Sequence, residues 1–302
     1  MLPPDDFDPA IGVAQTLETG VRRLVAPNPS PMTYRGTNTY LVGSTALAVI
    51  DPGPADDAHL DAILAAVGAG AHISHIVVTH THVDHSPLAH PLAQRTGAPV
   101  IAFGNATAGR SAIMHDLAAT GAVGGGEGID HGFVPDLTVA DGDTIEGDGW
   151  ALNVIHTPGH IGNHISLALG DACFTADHVM GWASSLVSPP DGDLTDFMTS
   201  CARLAAREWR VFYPGHGAQI DMPADRLDWL IRHRRAREAA ILALLAEGPA
   251  DAPTLAAAIY TETPAALRSA ATRNVLAHLI DLTRRDMISC KGAIHADAFF
   301  TA

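Results

Sequence analysis

Between Thr79 and His85 the chain reads Thr-His-Thr-His-Val-Asp-His, which puts three imidazoles and a carboxylate within six residues. The pattern His-x-His-x-Asp-His suits a pair of divalent ions. His80 and His82 are two apart, so on an extended backbone both side chains leave the same face and can grip one ion. Asp84 and His85 follow where the chain must turn and can face a second ion. Imidazole with carboxylate, and no thiolate, favours zinc, manganese or iron at a hydrolytic centre over a closed structural zinc site. The run directly follows the apolar, strand-like His75-Ile76-Val77-Val78. With 17 histidines in 302 residues a chance pair is ordinary, but an ordered run at a strand end is not.

Further groups follow in order. Thr157-Pro158-Gly159-His160 offers an imidazole, Phe174-Thr175-Ala176-Asp177 a carboxylate, and Tyr213-Pro214-Gly215-His216-Gly217 another imidazole. Upstream, Ile50-Asp51-Pro52-Gly53 ends an apolar stretch on a carboxylate. Together these motifs resemble the signature of the metallo-beta-lactamase superfamily, across residues 20 to 220. One departure is Ala176, where the family usually has Gly, so a slightly crowded turn is expected there.

The resemblance implies a four-layer αβ/βα sandwich with ligands on loops along one edge. It assigns His80, His82 and His160 to one ion, Asp84, His85 and His216 to the other, and Asp177 to both. Asp51 is implied to support a ligand imidazole. Two ions about 3.5–4 Å apart share a water and lower its pKa toward neutrality. Asp84 is then the expected catalytic group, orienting the metal-bridging hydroxide and handling its proton. Two divalent ions are expected, zinc first, with manganese or iron as alternatives. His164 is expected either to touch substrate or to fix the loop of His160. His156 and His178, beside the second and third motifs, read as strand or supporting residues.

Strands are expected at 21–25, 39–42, 46–50, 77–80 and 99–103, with helices at 55–69 and 86–96. Residues 1–18 read as an irregular lead-in. The segment 104–136 carries Gly124-Gly125-Gly126 and a short helix at 110–119, and a connection of that length is usually functional or mobile. It is expected near the site mouth, with His115 and His131 solvated. Strands alternate with turns over 137–182. A helix at 195–206 and a strand at 210–213 precede His216. A boundary is expected near Asp221, dividing a catalytic domain, 1–221, from a small C-terminal domain, 222–302. The latter reads as helices at 226–247, 252–259, 265–268 running onward, and 275–285. A strand pair at 287–290 and 293–295 would close it around Lys291-Gly292. This winged-helix-like plan resembles the beta-lactamase-like protein 2 subfamily. So does the stretch Pro27-Asn28-Pro29-Ser30-Pro31-Met32-Thr33-Tyr34-Arg35-Gly36-Thr37-Asn38-Thr39-Tyr40.

The net charge is −15, of which residues 1–221 carry −16 and residues 222–302 carry +1. So acidic a main domain repels a long polyanion and makes duplex DNA an unfavoured partner. Three cysteines without metal spacing suggest buried small hydrophobes in a reducing compartment. The opening Met1-Leu2-Pro3-Pro4-Asp5-Asp6 lacks the basic start and apolar core of a signal peptide, and no apolar run is long enough to span a membrane. Cytoplasm is therefore the expected location.

These features lead to a dinuclear hydrolase acting on an ester, thioester, lactone or phosphodiester. Its partner would be a small acyl substrate or single-stranded RNA, and a homodimer is left open. Two alternatives use the same residues differently. One is a mononuclear iron persulfide oxygenase. The other is a nucleic-acid-binding regulatory protein acting through the winged helix.

Overall fold

A computed structural model describes residues 6–125 and 128–302. Residues 1–5, which carry most of the leader expectation, and Gly126 and Glu127, which include the end of the triple-glycine run, lie outside the described residues. Two mixed sheets form the centre. The first runs in the order β1 (Gln15–Glu18), β2 (Val21–Val25), β3 (Asn38–Val42), β4 (Ala46–Ile50), β5 (His72–Val78), β6 (Val100–Ala102), β7 (Leu137–Thr138). The second runs β12 (Val211–Pro214), β11 (Ala172–Ala176), β10 (Ile165–Leu169), β9 (Trp150–His156), β8 (Thr144–Gly147).

Alternation along the strands decides what each face meets. In β4, Ala48 and Ile50 join Tyr40, Val77, Leu152, Phe174 and Tyr213 between the sheets. Leu47 and Val49 point the other way, onto Leu60 and Ile63 of α1 (Asp57–Ala66) and Leu92 of α2 (Ala89–Thr96). The outer face of the second sheet, through Cys173 and Phe212, is covered by Phe197, Cys201 and Leu204 of α4 (Leu194–Ala205) and by Leu227 and Leu230 of α5 (Pro223–Glu247). The result is the four-layer αβ/βα sandwich implied by the motifs.

Helix α5 spans 25 residues. Its first half belongs to the core over the second sheet, and its second half supplies Ile241 and Leu245 to a separate core with α6 (Ala252–Ile259) and α7 (Arg268–Arg284). Met114 of α3 (Ala112–Thr120) and Val123 also enter that second core, so the long 104–136 segment is partly packed.

Several boundaries differ from expectation. β1 pairs within the stretch read as irregular; its half-exposed polar pattern gives no apolar alternation to detect. Strand β5 starts at His72 and ends at Val78, so His80 sits in the turn beyond it. The helix after the metal run begins at Ala89, because residues 82–88 form turns that present side chains to the site. One helix, α7, preceded by a 3-10 turn at Ala265–Leu267, replaces the two segments expected from 265 to 285. The closing strand pair is β13 (Ser289–Cys290) with β14 (Phe300–Thr301), not 287–290 with 293–295. Fully buried Phe300 exchanges backbone hydrogen bonds with Ala250, and this anchor prevails over the tight turn at Lys291-Gly292.

Candidate metal centre

Strands β4 and β5 are parallel neighbours, as are β11 and β12, so within each pair the C-terminal ends lie side by side. Asp51 immediately follows β4, His80 lies just beyond β5, Asp177 immediately follows β11, and His216 lies just beyond β12. The loop from β9 to β10 supplies His160. Residues read from five separated stretches thus meet along one edge.

Two approaches demand small or strained residues. A Cβ on Gly215 would stand 2.2 Å from Asp177 Oδ1 and 2.9 Å from His85 Cε1, so only glycine lets the β12 loop pass this close. Gly159, at φ +139, would drive a Cβ to 2.2 Å from the Cα of Phe197. Asp51 and Ala176 adopt φ of 52 and 42 without being glycines. The crowded turn expected at Ala176 is therefore a left-handed one, with a steric cost of about 1–2 kcal/mol.

The ligand atoms of His80, His82 and His160 lie within 4.8 Å of one another, as do those of Asp84, His85 and His216. Asp177 lies between the two sets. Its Oδ2 is 3.3 Å from His216 Nε2, 3.7 Å from His160 Nε2 and 4.0 Å from His80 Nε2, while its Oδ1 is 3.5 Å from His85 Nε2. Asp84 Oδ2 is 3.2 Å from His216 Nε2 and 3.5 Å from His85 Nε2.

Behind the rings, hydrogen bonds fix which nitrogen faces inward. His160 Nδ1–H donates to the Leu186 carbonyl at 2.7 Å, and His216 Nδ1–H to that of Gly36 at 3.2 Å. His85 Nδ1–H donates to Asp51 Oδ2 at 2.9 Å. The Thr79 hydroxyl spends its one proton on Asp51 Oδ2 at 2.7 Å, so at 3.0 Å it must accept from His80 Nδ1–H. Asp51 Oδ1 also accepts the Thr79 backbone N–H at 2.7 Å. One carboxylate therefore orients a ring of each set, His85 directly and His80 through Thr79.

The inward atoms test whether ions fit. His80 Nε2, His85 Nε2 and Asp177 Oδ1 are buried with no hydrogen-bond partner among the described residues. Elsewhere such orphaned atoms are scattered, but here they converge on one point, as the donors of a bound ion would. The nitrogens His160 Nε2 and His82 Nδ1 face each other at 3.0 Å. A convergent set of imidazole and carboxylate donors, its rings backed by hydrogen bonds, is the donor chemistry of a zinc-type centre. The residues present fit two divalent ions.

Electrostatics divides the sets. Burial, reinforced by His160, pulls His82 down to about 3. Burial likewise depresses His80 and His160. In the other set burial also pushes downward and is the largest single influence, but at His85 the carboxylates of Asp84, Asp177 and Asp51 together overcome it and hold that imidazole well above its usual value. At His216 burial is again the largest single influence, but Asp177 and Asp84 together overcome it and hold that imidazole up at about 9. Burial would raise Asp84, yet His85 and His216 together keep its carboxyl well below the usual carboxylate range.

His164 is fully buried; its Nδ1 lies 2.9 Å from Thr157 Oγ1 and its ring packs on His80 and His178. Its backbone closes the His160 loop through Thr157 N–H to His164 O. His156 caps that loop by donating from Nε2 to Gly162 O. His178 is buried against Phe197 and Cys201. His115 and His131 are exposed and belong to none of the ligand sets. The 104–136 segment does reach the centre, bridging His82 at Ile129.

Sequence reasoning missed Thr79, Thr37, whose hydroxyl lies 3.4 Å from Asp84 Oδ2, and the 185–187 strap that holds His160. A polar residue between an apolar strand and the first ligand was a signal for Thr79. The strap acts through a backbone carbonyl and left none.

A metallo-beta-lactamase superfamily model matches residues 32–240, and a beta-lactamase associated winged helix domain model matches 252–293. The beta-lactamase-like protein 2 homolog of Caenorhabditis elegans is 30% identical over 271 residues, covering 86% of this chain and 83% of that protein. The atrochrysone carboxyl ACP thioesterase AgnL7 of Paecilomyces divaricatus is 30% identical over 246 residues, covering 78% of this chain and 68% of that protein. Among solved structures, a metallo-beta-lactamase family protein from Thermus thermophilus superposes with a TM-score of 0.76 at 25% identity, over 95% of this chain and 99% of that one.

Proposed function

Because the chain belongs to the metallo-beta-lactamase superfamily, we propose that its two ligand sets hold two divalent ions and that the protein is a hydrolase. The observation that carries this reading is the pair of sets flanking one shared carboxylate, Asp177. His80, His82 and His160 would hold one ion, Asp84, His85 and His216 the other, and Asp177 both. The donor set suits zinc first, then manganese or iron. When bound, such ions supply a nucleophile at neutral pH and polarise a carbonyl or phosphoryl oxygen.

The chain's own groups do the rest. Asp84, partly exposed at the mouth, orients the attacking water and accepts its proton. Asp51 and Thr79 keep the rings in register. His164 holds the His160 loop; with no exposed surface it is better placed for that than for touching substrate. In the reaction, water gives its hydroxyl to the acyl or phosphoryl centre, the bond to the leaving group breaks, and that group takes the remaining proton.

The substrate is a small acyl compound or single-stranded RNA. Likeness to a protein named as a thioesterase supports the first. The charge of −16 over residues 1–221 weighs against a long polyanion, duplex DNA above all. The unit 222–302 is read as a packing module. Two buried free cysteines, Cys173 and Cys201, support a reducing, cytoplasmic setting, and among the described residues no helix is long and apolar enough to cross a membrane.

A hydrolysis screen over thioesters, lactones, phosphodiesters and RNA, run with zinc and with manganese, tests the reading. Turnover that needs two equivalents of metal is expected. A protein that isolates with one iron per chain and consumes oxygen with a persulfide would instead select the oxygenase.

A further inference from the structure

Two cavities flank His160, and they differ in character. One, of about 220 Å³, runs from His160 and Asp177 between Met180, Trp182, Leu267 and Tyr260, and among the described residues no Lys or Arg lines it. The other, of about 240 Å³, runs from His82 and His160 past Ser188, Ser269 and Arg273. Leu186 and Ala270 border both, so the two compartments meet over the metal centre. In each, one wall is the start of α7 and the turn before it.

That wall is fixed to the centre. Asn274 of α7 accepts at Oδ1 from Val187 N–H at 3.1 Å and from Arg234 at 3.0 Å. Buried Arg234 also donates to the Ser185 carbonyl. Between these anchors lies Leu186, whose carbonyl receives His160 Nδ1–H. The same strap orients a ligand ring and docks the C-terminal unit.

We propose that the apolar cavity is an acyl pocket and that α7 is its specificity wall. The substrate is an ester or thioester with an apolar acyl group, its polar leaving group lying in the Arg273 compartment. At about 30 Å³ for a water-sized group, the cavity takes roughly seven heavy atoms, a medium-length chain or one aromatic ring. Water's hydroxyl goes to the acyl carbon, the acyl C–S or C–O bond breaks, and the thiol or alcohol leaves with the remaining proton. An RNA strand would instead run charged phosphates through a compartment that, among the described residues, no Lys or Arg lines. This assignment rests on the hydrolase reading.

The test uses the full chain loaded with zinc. First, kcat/KM is measured for straight-chain acyl thioesters from acetyl to decanoyl. Second, binding of the matching free carboxylates is measured by calorimetry, which needs no turnover. Both should strengthen about fourfold per methylene and level off near seven carbons. Ala183→Trp, which fills the apolar cavity and borders only that one, and Leu267→Asp, which makes it polar, should each lower the octanoyl-to-acetyl ratio about tenfold or more, with zinc stoichiometry unchanged. A flat series, or equal loss for both substrates, overturns the pocket. Cleavage of RNA with no acyl turnover and no carboxylate binding overturns it while leaving the hydrolase reading intact. Chain-length-dependent binding without any hydrolysis supports the pocket and removes the hydrolase reading.

Discussion

At the scale of single residues the centre depends on who holds the rings. Asp51 accepts from His85 and, through Thr79, orients His80. Asp51→Ala should therefore weaken metal binding about 10–100-fold, as loss of such partners typically does; unchanged affinity in a chelator competition would contradict this. Asp84→Asn keeps size but loses charge and proton-accepting ability. At full metal loading it should lower kcat about 10²–10⁴-fold with little change in KM, because the interaction matters mainly in the transition state; near-normal kcat would show that Asp84 is not needed. Protonation separates the two sets. His85 is raised and His216 stands at about 9, so both carry protons at pH 7 that an ion must displace, whereas His82 at about 3 and the depressed His80 and His160 carry none. The first ion should load at pH 7 with little proton release. The second should release protons and bind more tightly as pH rises toward 9. Calorimetry in buffers of different ionisation enthalpy measures this, and equal release at both steps would refute the division. All seven proposed ligand positions were legible in the sequence because each is a titratable side chain in a short motif.

At the scale of elements, the centre exists because loops after β11 and β12 come together closely enough for only a glycine at position 215. Gly215→Ala forces a Cβ onto Asp177. Metal affinity should fall about tenfold or more, with the circular dichroism spectrum retained; full affinity would mean the loops can part freely. Strong apolar periodicity made β2 to β4, α1 and α4 legible. Elements set by distant partners were not. The pairing of β13 with β14 is decided by buried Phe300 and its exchange with Ala250, contacts that no local pattern announces. The polar stretch Thr272-Arg273-Asn274 hid the continuity of α7, since Asn274 is polar for the sake of the 185–187 strap.

At the scale of the whole molecule, α5 ties the sandwich to the C-terminal unit. Leu227 and Leu230 belong to the core over the second sheet. Ending the chain after Asp221, the boundary suggested by composition, removes both. At about 1.5–3 kcal/mol per buried leucine, that is a large share of an ordinary domain's stability. The shortened chain should show no cooperative unfolding transition; a native-like Tm would mean that α5 contributes nothing to the sandwich. The central claim, two ions on two separable ligand sets, is tested most directly by titrating chelator-stripped protein with zinc and measuring bound metal per chain. The account predicts two equivalents in the wild type and the loss of one in His216→Ala, with the other retained by His80, His82 and His160. A single equivalent in the wild type, or the loss of both in the variant, would contradict it.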